Sequence, residues 1–539
     1  GMIAEELKAW DQPSISVGIV KDGKVELAEG FGYANMDKQV KPDPDTLYQI
    51  GSCSKAFTAA GGDENAYIRA PYGNANKTVR SVVKAPLIYW SVDPEDWKYR
   101  DSETVRKNIE AGVFDGAIIL VHDIYKTSVD GALAAIDDLM AEGYEFVTVR
   151  DLLCHRTGLP RHDAYWIDGP CTRKKMVENL RNMQPGWSFR SHWCYQNTCI
   201  VAAGMLVEEM TGKTWEEFVK KEIFEPLGMT RSTFYVDAIE ADANHATPYD
   251  RPTPVELQGI REIPFLKSDR EDMVKGIGAP YGPAGSIMST VNDMLKWVQF
   301  NLNNGKVGDK QLISEAAMKE MHKANMLMSE PLLMPCKEMD FFSHGMGWFV
   351  ETYRGHVMVE HGGNINGFSA LVTMIPDQKL GVVTLTNFND SFDTYATTYE
   401  IIDRVLGVEG GDWNKRWRDF VAQVFGSIPE QLKGMNPPKI EGTKPTHDLA
   451  DYAGTYRNAT YGDIVIENKD GKLFFTYNKK TSELDHYHYD TFQINDVFAL
   501  FNGMTLRFGI GNDGKIGEIL FGIALNPAVG EECFKKVTE

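Results

Sequence analysis

Apolar and polar residues alternate along residues 14–33, SISVGIVKDGKVELAEGFGY, and a KDGK turn parts the two apolar runs. A period of two broken at Asp-Gly predicts a β-hairpin. The pattern then changes. PDPDTLYQIGS reads as a loop, and SCSKAFTAA, rich in helix formers, opens a helix that GGDEN (61–65) stops. From Tyr67 to Val149 short apolar runs such as LIYWSVD and GAIILVHD alternate with one helical stretch, VDGALAAIDDLMAEG. That is the βα rhythm of a parallel sheet or barrel. Beyond it the period lengthens again. VRDLLCHRTGLP reads as a helix ending at its Gly, and TCIVAAGMLVEEMTG and TWEEFVKKEIFEPLGM are amphipathic. Strands return at GHVMVEHGG, SALVTMIP and LGVVTLTN. Residues 427–446, SIPEQLKGMNPPKIEGTKPT, carry the Pro/Gly punctuation of a linker. Short strands with turns such as NKDGK and GNDGK follow, predicting a small barrel or sandwich over 447–539.

Composition narrows the partners. With 539 residues, three or four domains are expected. A net charge of −20 argues against nucleic acid, because phosphate binding needs a basic footprint. The longest apolar runs, GAIILV and LGVVTL, fall far short of the ~20 residues that span a bilayer, so no membrane partner is expected. GMIAEELKAW has neither a basic nor an apolar leader segment, so no signal peptide is expected. The seven cysteines are irregularly spaced and form no C-x-x-C. This fits free thiols in a reducing, cytoplasmic compartment.

Three short motifs carry chemistry. Ser52 and Lys55 form S-x-x-K, which on a helix sets the amine beside the hydroxyl. A serine needs such a base, since its hydroxyl is a weak nucleophile at neutral pH. Tyr195 and Asn197 form Y-x-N, and a phenol near a lysine can move a proton to a leaving group. His361-Gly362-Gly363 ends an apolar strand, where glycines admit a substrate to the backbone. Taken singly, each is also a common structural feature: a helix start, a buried Tyr beside a capping Asn, a strand exit. Their order is more informative than any one of them.

Together with ISVGIVKDGKVELAEGFGYAN, YQIGSCSKAFTA, VRDLLCHRTGLP, PGWSFRSHWCYQNT, FEPLGM, GPAGSIMSTVNDMLKW and HGGNINGFSA, these motifs resemble the serine β-lactamase and penicillin-recognising family, especially its class C-like branch. The resemblance covers most of residues 14–60 and 149–400. It implies an α/β (α+β) fold, an antiparallel sheet flanked by helices with a helical subdomain. It also implies a serine hydrolase acting through an acyl-enzyme on a small-molecule or peptide substrate, with no cofactor and no metal. Ser52 would be the nucleophile, and Lys55 and Tyr195 would share acid–base work. Asn197 would bond Lys55 or the substrate, the Ser52 and Asn364 amides would form the oxyanion hole, and Gly362 and Gly363 would line the substrate. His361 stands where many members carry the Lys of K-T-G. The H-x-G form resembles esterase and aminopeptidase relatives, so an ester or D-amino-acid peptide is expected before a β-lactam. The tail from His447 resembles the lipocalin-like β-barrel domain often appended to this branch. His486 and His488 in DHYHYD share a strand face, without a third metal ligand in evidence.

Residues 61–148 resemble a different family, the polysaccharide deacetylases, through YIRAPYGNANKTV, IYWSVDPEDWKYRD and GAIILVHDIYKTSVDGALAAIDDLMAEGYEFVTV. In that family the matching Arg69, Asp93, Asp96, Trp97 and His122 line a metal-dependent site. The acidic TFDDGP-type strand and the H-x-x-H-type loop that supply the base and the other ligands are absent from the chain. A hydrolytic metal site needs about three protein ligands plus an activated water, so deacetylation is not expected. The segment also displaces the long helix that follows S-x-x-K in the serine family. The alternative expectation is therefore a relic in which Ser52 no longer meets Lys55, leaving at most a binding module.

Overall fold

The computed structural model describes residues 2–61, 92–114, 119, 121–122, 125–142, 147–166, 171–252, 259–266, 279–329, 331, 334–409, 411–495, 501–524 and 529–537. At its centre is an eight-stranded antiparallel sheet. Strands β1 (Ser14–Lys21) and β2 (Lys24–Gly32) form the hairpin expected from the alternation. The remaining strands come late in the chain: β3 (Met326–Leu327), β4 (Phe342–His344), β5 (Phe349–Tyr353), β6 (His356–Ile365), β7 (Phe368–Ile375) and β8 (Leu380–Thr386). Their order is β2-β1-β8-β7-β6-β5-β4-β3. Strand β7 is buried at every position, as both faces of the sheet are covered. Helices α1 (Met2–Trp10), α8 (Asp393–Val405) and α9 (Trp413–Met435) cover one face. Helices α2 (Ser54–Ala60) and α7 (Val291–Leu302) lie on the other.

Helix α2 is short, as GGDEN foretold, and it ends at Gly61. A seven-residue helix is unstable alone in water, and here packing sustains it. Every residue of α2 is buried. Phe57 stacks on Trp297 at 4.0 Å and meets Phe224 edge-on at 5.8 Å. Thr58 Oγ1 donates to Pro283 O, and Ser54 Oγ accepts from Ile287 N–H.

The segment after α2 folds as a βα element. Val92 and Ile119 form a parallel bridge, and α3 (Ser102–Gly112) and α4 (Lys126–Ala141) pack around Val105, Ile109, Ala135 and Leu139. Helix α4 follows the expected stretch. Helix α3, capped by the Asp101 side chain on Thr104 N–H, does not stand out in the pattern. Two further expectations need correction. Helix α5 runs only over Val149–Leu153, because His155 takes a left-handed φ of +56° and turns the chain before Gly158. Helix α9 runs to Met435, into the expected 427–446 linker. The Asp412 cap and the buried Trp413, Trp417 and Val421, one turn apart, hold it to the core.

The C-terminal strands close an eight-stranded antiparallel barrel, β9 (Gly454–Asn458) to β16 (Glu532–Lys536). A bulge between His486 and His488 breaks their common face, and His486 Nε2 bonds Tyr489 O. The barrel docks on the loop after α5. Asn478 Nδ2 donates to Ala164 O at 3.0 Å, Asn179 Nδ2 donates to Thr460 O at 3.1 Å, and the Tyr461 hydroxyl bonds His162 Nδ1.

Candidate active site

Ser52 lies in a tight turn (Gly51–Cys53) that runs directly into α2. Lys55, one turn on, donates from Nζ to Ser52 Oγ at 2.8 Å and to Ala284 O at 2.6 Å. The pair is therefore assembled despite the shortened helix. Lys55 is fully buried. Burial pushes its ammonium well below the usual lysine range, and nearby Arg161 adds to this while Asp163 opposes it. A neutral amine becomes accessible, which is what a general base for a serine hydroxyl requires.

Tyr195 closes the triangle. Lys55 Nζ lies 4.8 Å from its ring centre, and Ser52 hydrogen-bonds its phenol. Burial raises the phenol, which stays protonated as a donor, and the Ser52 bond partly offsets the rise. His155 fixes this residue in place. Its carbonyl accepts from Cys194 N–H at 2.9 Å, its Nδ1 accepts from Gln196 N–H at 3.1 Å, and its ring lies 4.4 Å from the Tyr195 ring.

Strand β6 forms the opposite wall. It pairs with β5 only as far as Glu360, so from His361 onward its edge is released and the Ser52 turn lies against it. A side chain on Gly363 would strike Ile50 O and come within 3.0 Å of Ser52 N, and one on Gly51 would come within 2.9 Å of Asn364 N. The two backbones touch, and the Ser52 and Asn364 amides share one crease. His361 is buried, and its Nδ1 donates to Gly362 O at 2.6 Å. Burial and the Lys55 charge depress it well below the ordinary histidine range, so it is a neutral imidazole. His344 beside it is pushed down to about 3, by burial first.

Two cavities flank Ser52. One, of about 410 Å³, is lined by Trp193, Tyr195, Phe349, His361, Gly362, Gly363, Asn364, Asp390 and Tyr395. The other, of about 620 Å³, includes Asn197, Asp250, Arg261, Tyr281 and, from the barrel, Lys480. All the expected residues therefore meet around one serine. Asn197 differs in detail: its Nδ2 donates to both carboxylate oxygens of Asp163 at 3.2 Å, rather than to Lys55. Asp163 also takes the Arg161 guanidinium at 2.5 Å, and Arg161 lies 5.5 Å from the Tyr195 ring centre. Arg161, Asp163 and His155 belong to the site although no role was expected of them. Their traces in the sequence are the stretch VRDLLCHRTGLP, which holds His155, and the acid–base pair in RHD just beyond it.

In the inserted segment, buried Asp96 accepts from His122 N–H and from the His122 ring at 2.8 Å each. Asp93 caps Glu95 N–H, and Trp97 is half-exposed. Arg69 lies outside the described residues. No group of three metal-ligating side chains occurs among the described residues.

The chain is similar to several known proteins. The Beta-lactamase family model matches residues 2–64 and 129–405, and a Domain of unknown function (DUF3471) matches 438–535. The unguisins hydrolase ungD of Aspergillus violaceofuscus is 27% identical over 501 residues, covering 88% of this chain and 77% of that protein. The peptidoglycan-N-acetylglucosamine deacetylase PgdA of Listeria monocytogenes is 44% identical over 134 residues, 24% of this chain and 29% of its own. An octameric penicillin-binding protein homologue from Pyrococcus abyssi superposes with a TM-score of 0.52 at 20% identity, covering 99% of this chain and 98% of that one.

Proposed function

The chain belongs to the beta-lactamase family of serine hydrolases, and from that premise we propose that it cleaves an uncharged ester or amide of the esterase or D-aminopeptidase type through an acyl-Ser52 intermediate. One observation carries the reading: a buried lysine with a depressed ammonium, 2.8 Å from Ser52 Oγ. In this scheme neutral Lys55 takes the Ser52 proton as Oγ attacks the substrate carbonyl. The Ser52 and Asn364 amides receive the developing oxyanion, a contribution typically worth ~3–4 kcal/mol. Tyr195, bonded to Ser52, passes the proton to the leaving group. Water then attacks the acyl carbonyl and Ser52 is released. His361, neutral where many members carry a lysine, removes one fixed positive charge beside Ser52, which favours esters and amides over β-lactams; Arg161, paired with Asp163, is the cation that lines this cavity.

The test is covalent labelling with a fluorophosphonate, followed by a screen of p-nitrophenyl esters, D-aminoacyl amides and nitrocefin. Label on the wild type that disappears in Ser52→Ala is expected. An unlabelled, folded wild-type protein that hydrolyses none of these substrates overturns the reading.

A further inference from the structure

The wall beside His361 carries a hydroxyl that the scheme above does not use. Gly362 has no side chain, and a Cβ built there would collide with the Tyr395 hydroxyl. Tyr395 comes from α8, beneath the sheet, and its hydroxyl occupies the room that a side chain on residue 362 would take. The ring is wedged between Tyr399, edge-on at 6.1 Å, and Trp417 at 5.2 Å. Other tyrosines in this layer have their hydroxyls bonded: Tyr399 donates to Glu360 at 3.0 Å and Tyr353 to Asp403 at 2.7 Å. No described residue bonds the Tyr395 hydroxyl, and the residue lines the 410 Å³ cavity beside Ser52. The hydroxyl opens on that cavity, where an acceptor on a bound molecule can take its hydrogen bond.

We propose that Tyr395 is a substrate-binding residue whose hydroxyl, delivered across Gly362, donates a hydrogen bond to an uncharged carbonyl oxygen of the substrate in this cavity. The inference rests on the serine-hydrolase reading for its substrate. Its geometry is independent of the acid–base groups. The phenol remains a donor across the physiological range, because burial, then the Glu360 carboxylate, holds it far above the ordinary tyrosine range. An uncharged acceptor fits because Asp390 shares the cavity, the neighbouring His361 is neutral, and Arg161, which also lines it, is paired with Asp163.

The test separates binding from chemistry. In a Ser52→Ala background, the affinity for the uncharged probe N-acetyl-phenylalaninamide is measured with and without Tyr395→Phe. The phenylalanine keeps the ring between Tyr399 and Trp417, and loss of one neutral hydrogen bond is expected to weaken binding about fivefold. Adding Gly362→Ser to Tyr395→Phe returns a hydroxyl to the same space, where its Cβ would sit 3.3 Å from the position of ring Cζ. This second change is expected to restore at least half of the lost affinity. Unchanged affinity in Tyr395→Phe overturns the proposal, as does an absence of binding by either protein. Fluorophosphonate labelling of Ser52 in the otherwise wild-type chain tests the hydrolase reading separately.

Discussion

Lys55 has the least solvent of any cation in the site, and that shortage of water is its function. Desolvation is the largest cause of the depression of its ammonium, and Arg161 is the next. The activity should therefore have an acid limb set by deprotonation of Lys55. Removing the Arg161 charge relieves the ammonium of a repulsion, so its pKa rises. In Arg161→Gln the acid limb of kcat/KM should move to higher pH, read from a pH–rate profile with a p-nitrophenyl ester. A limb that stays in place or moves to lower pH would exclude Lys55 as the titrating base. Ser52, Lys55, Tyr195 and His361 were legible because each sits in a motif a few residues long. Arg161, Asp163, His155 and Tyr395 were not, since they reach the serine from separate segments and only burial and contact reveal them.

At the scale of elements, α2 is the exposed point. Its seven residues hold the nucleophile by tertiary contact, with Phe57 as the main anchor between Trp297 and Phe224. Phe57→Ala should cost ~3–5 kcal/mol of stability. Because Phe57 packs within the short helix that carries Lys55 beside Ser52, it should also reduce turnover in the fraction that remains folded. Denaturant unfolding and active-site labelling at one temperature would measure the two effects. Strong sequence patterns became elements: the β1–β2 hairpin, α4 and the C-terminal barrel all follow their periodicity. The misses have local physical causes. Helix α3 depends on an Asp101 cap and a small core shared with α4, while α9 crosses Pro429 because Trp413 and Trp417 anchor its start. Helix α5 stops early because His155 is recruited to Tyr195. That role is invisible until the two residues meet.

At the scale of the whole molecule, two foreign-looking parts relate to the site in opposite ways. Helices α3 and α4 build a separate small core around Val105 and Leu139. The barrel instead is joined to the site by the segment 161–165, which contacts both. Arg161 and Asp163 face Ser52 and Asn197, while His162 and the Tyr165 ring meet Tyr461 and the Ala164 carbonyl accepts from Asn478. Tyr461→Ala, a barrel substitution without contact to Ser52, should lower kcat/KM about tenfold, since small displacements of positioned groups are expensive in rate. Steady-state kinetics beside a thermal melt would show whether activity falls more than stability, and equal kcat/KM would refute the connection.

That shared segment has a consequence for how the barrel can be used. A segment packed on both neighbours acts as a shared wall, so displacement of one room moves the other. A shift of the barrel at buried Tyr461 would move Arg161 relative to Tyr195, and with it the proton affinity of Lys55. A displacement outside the cleft would then be felt at the nucleophile without anything entering it.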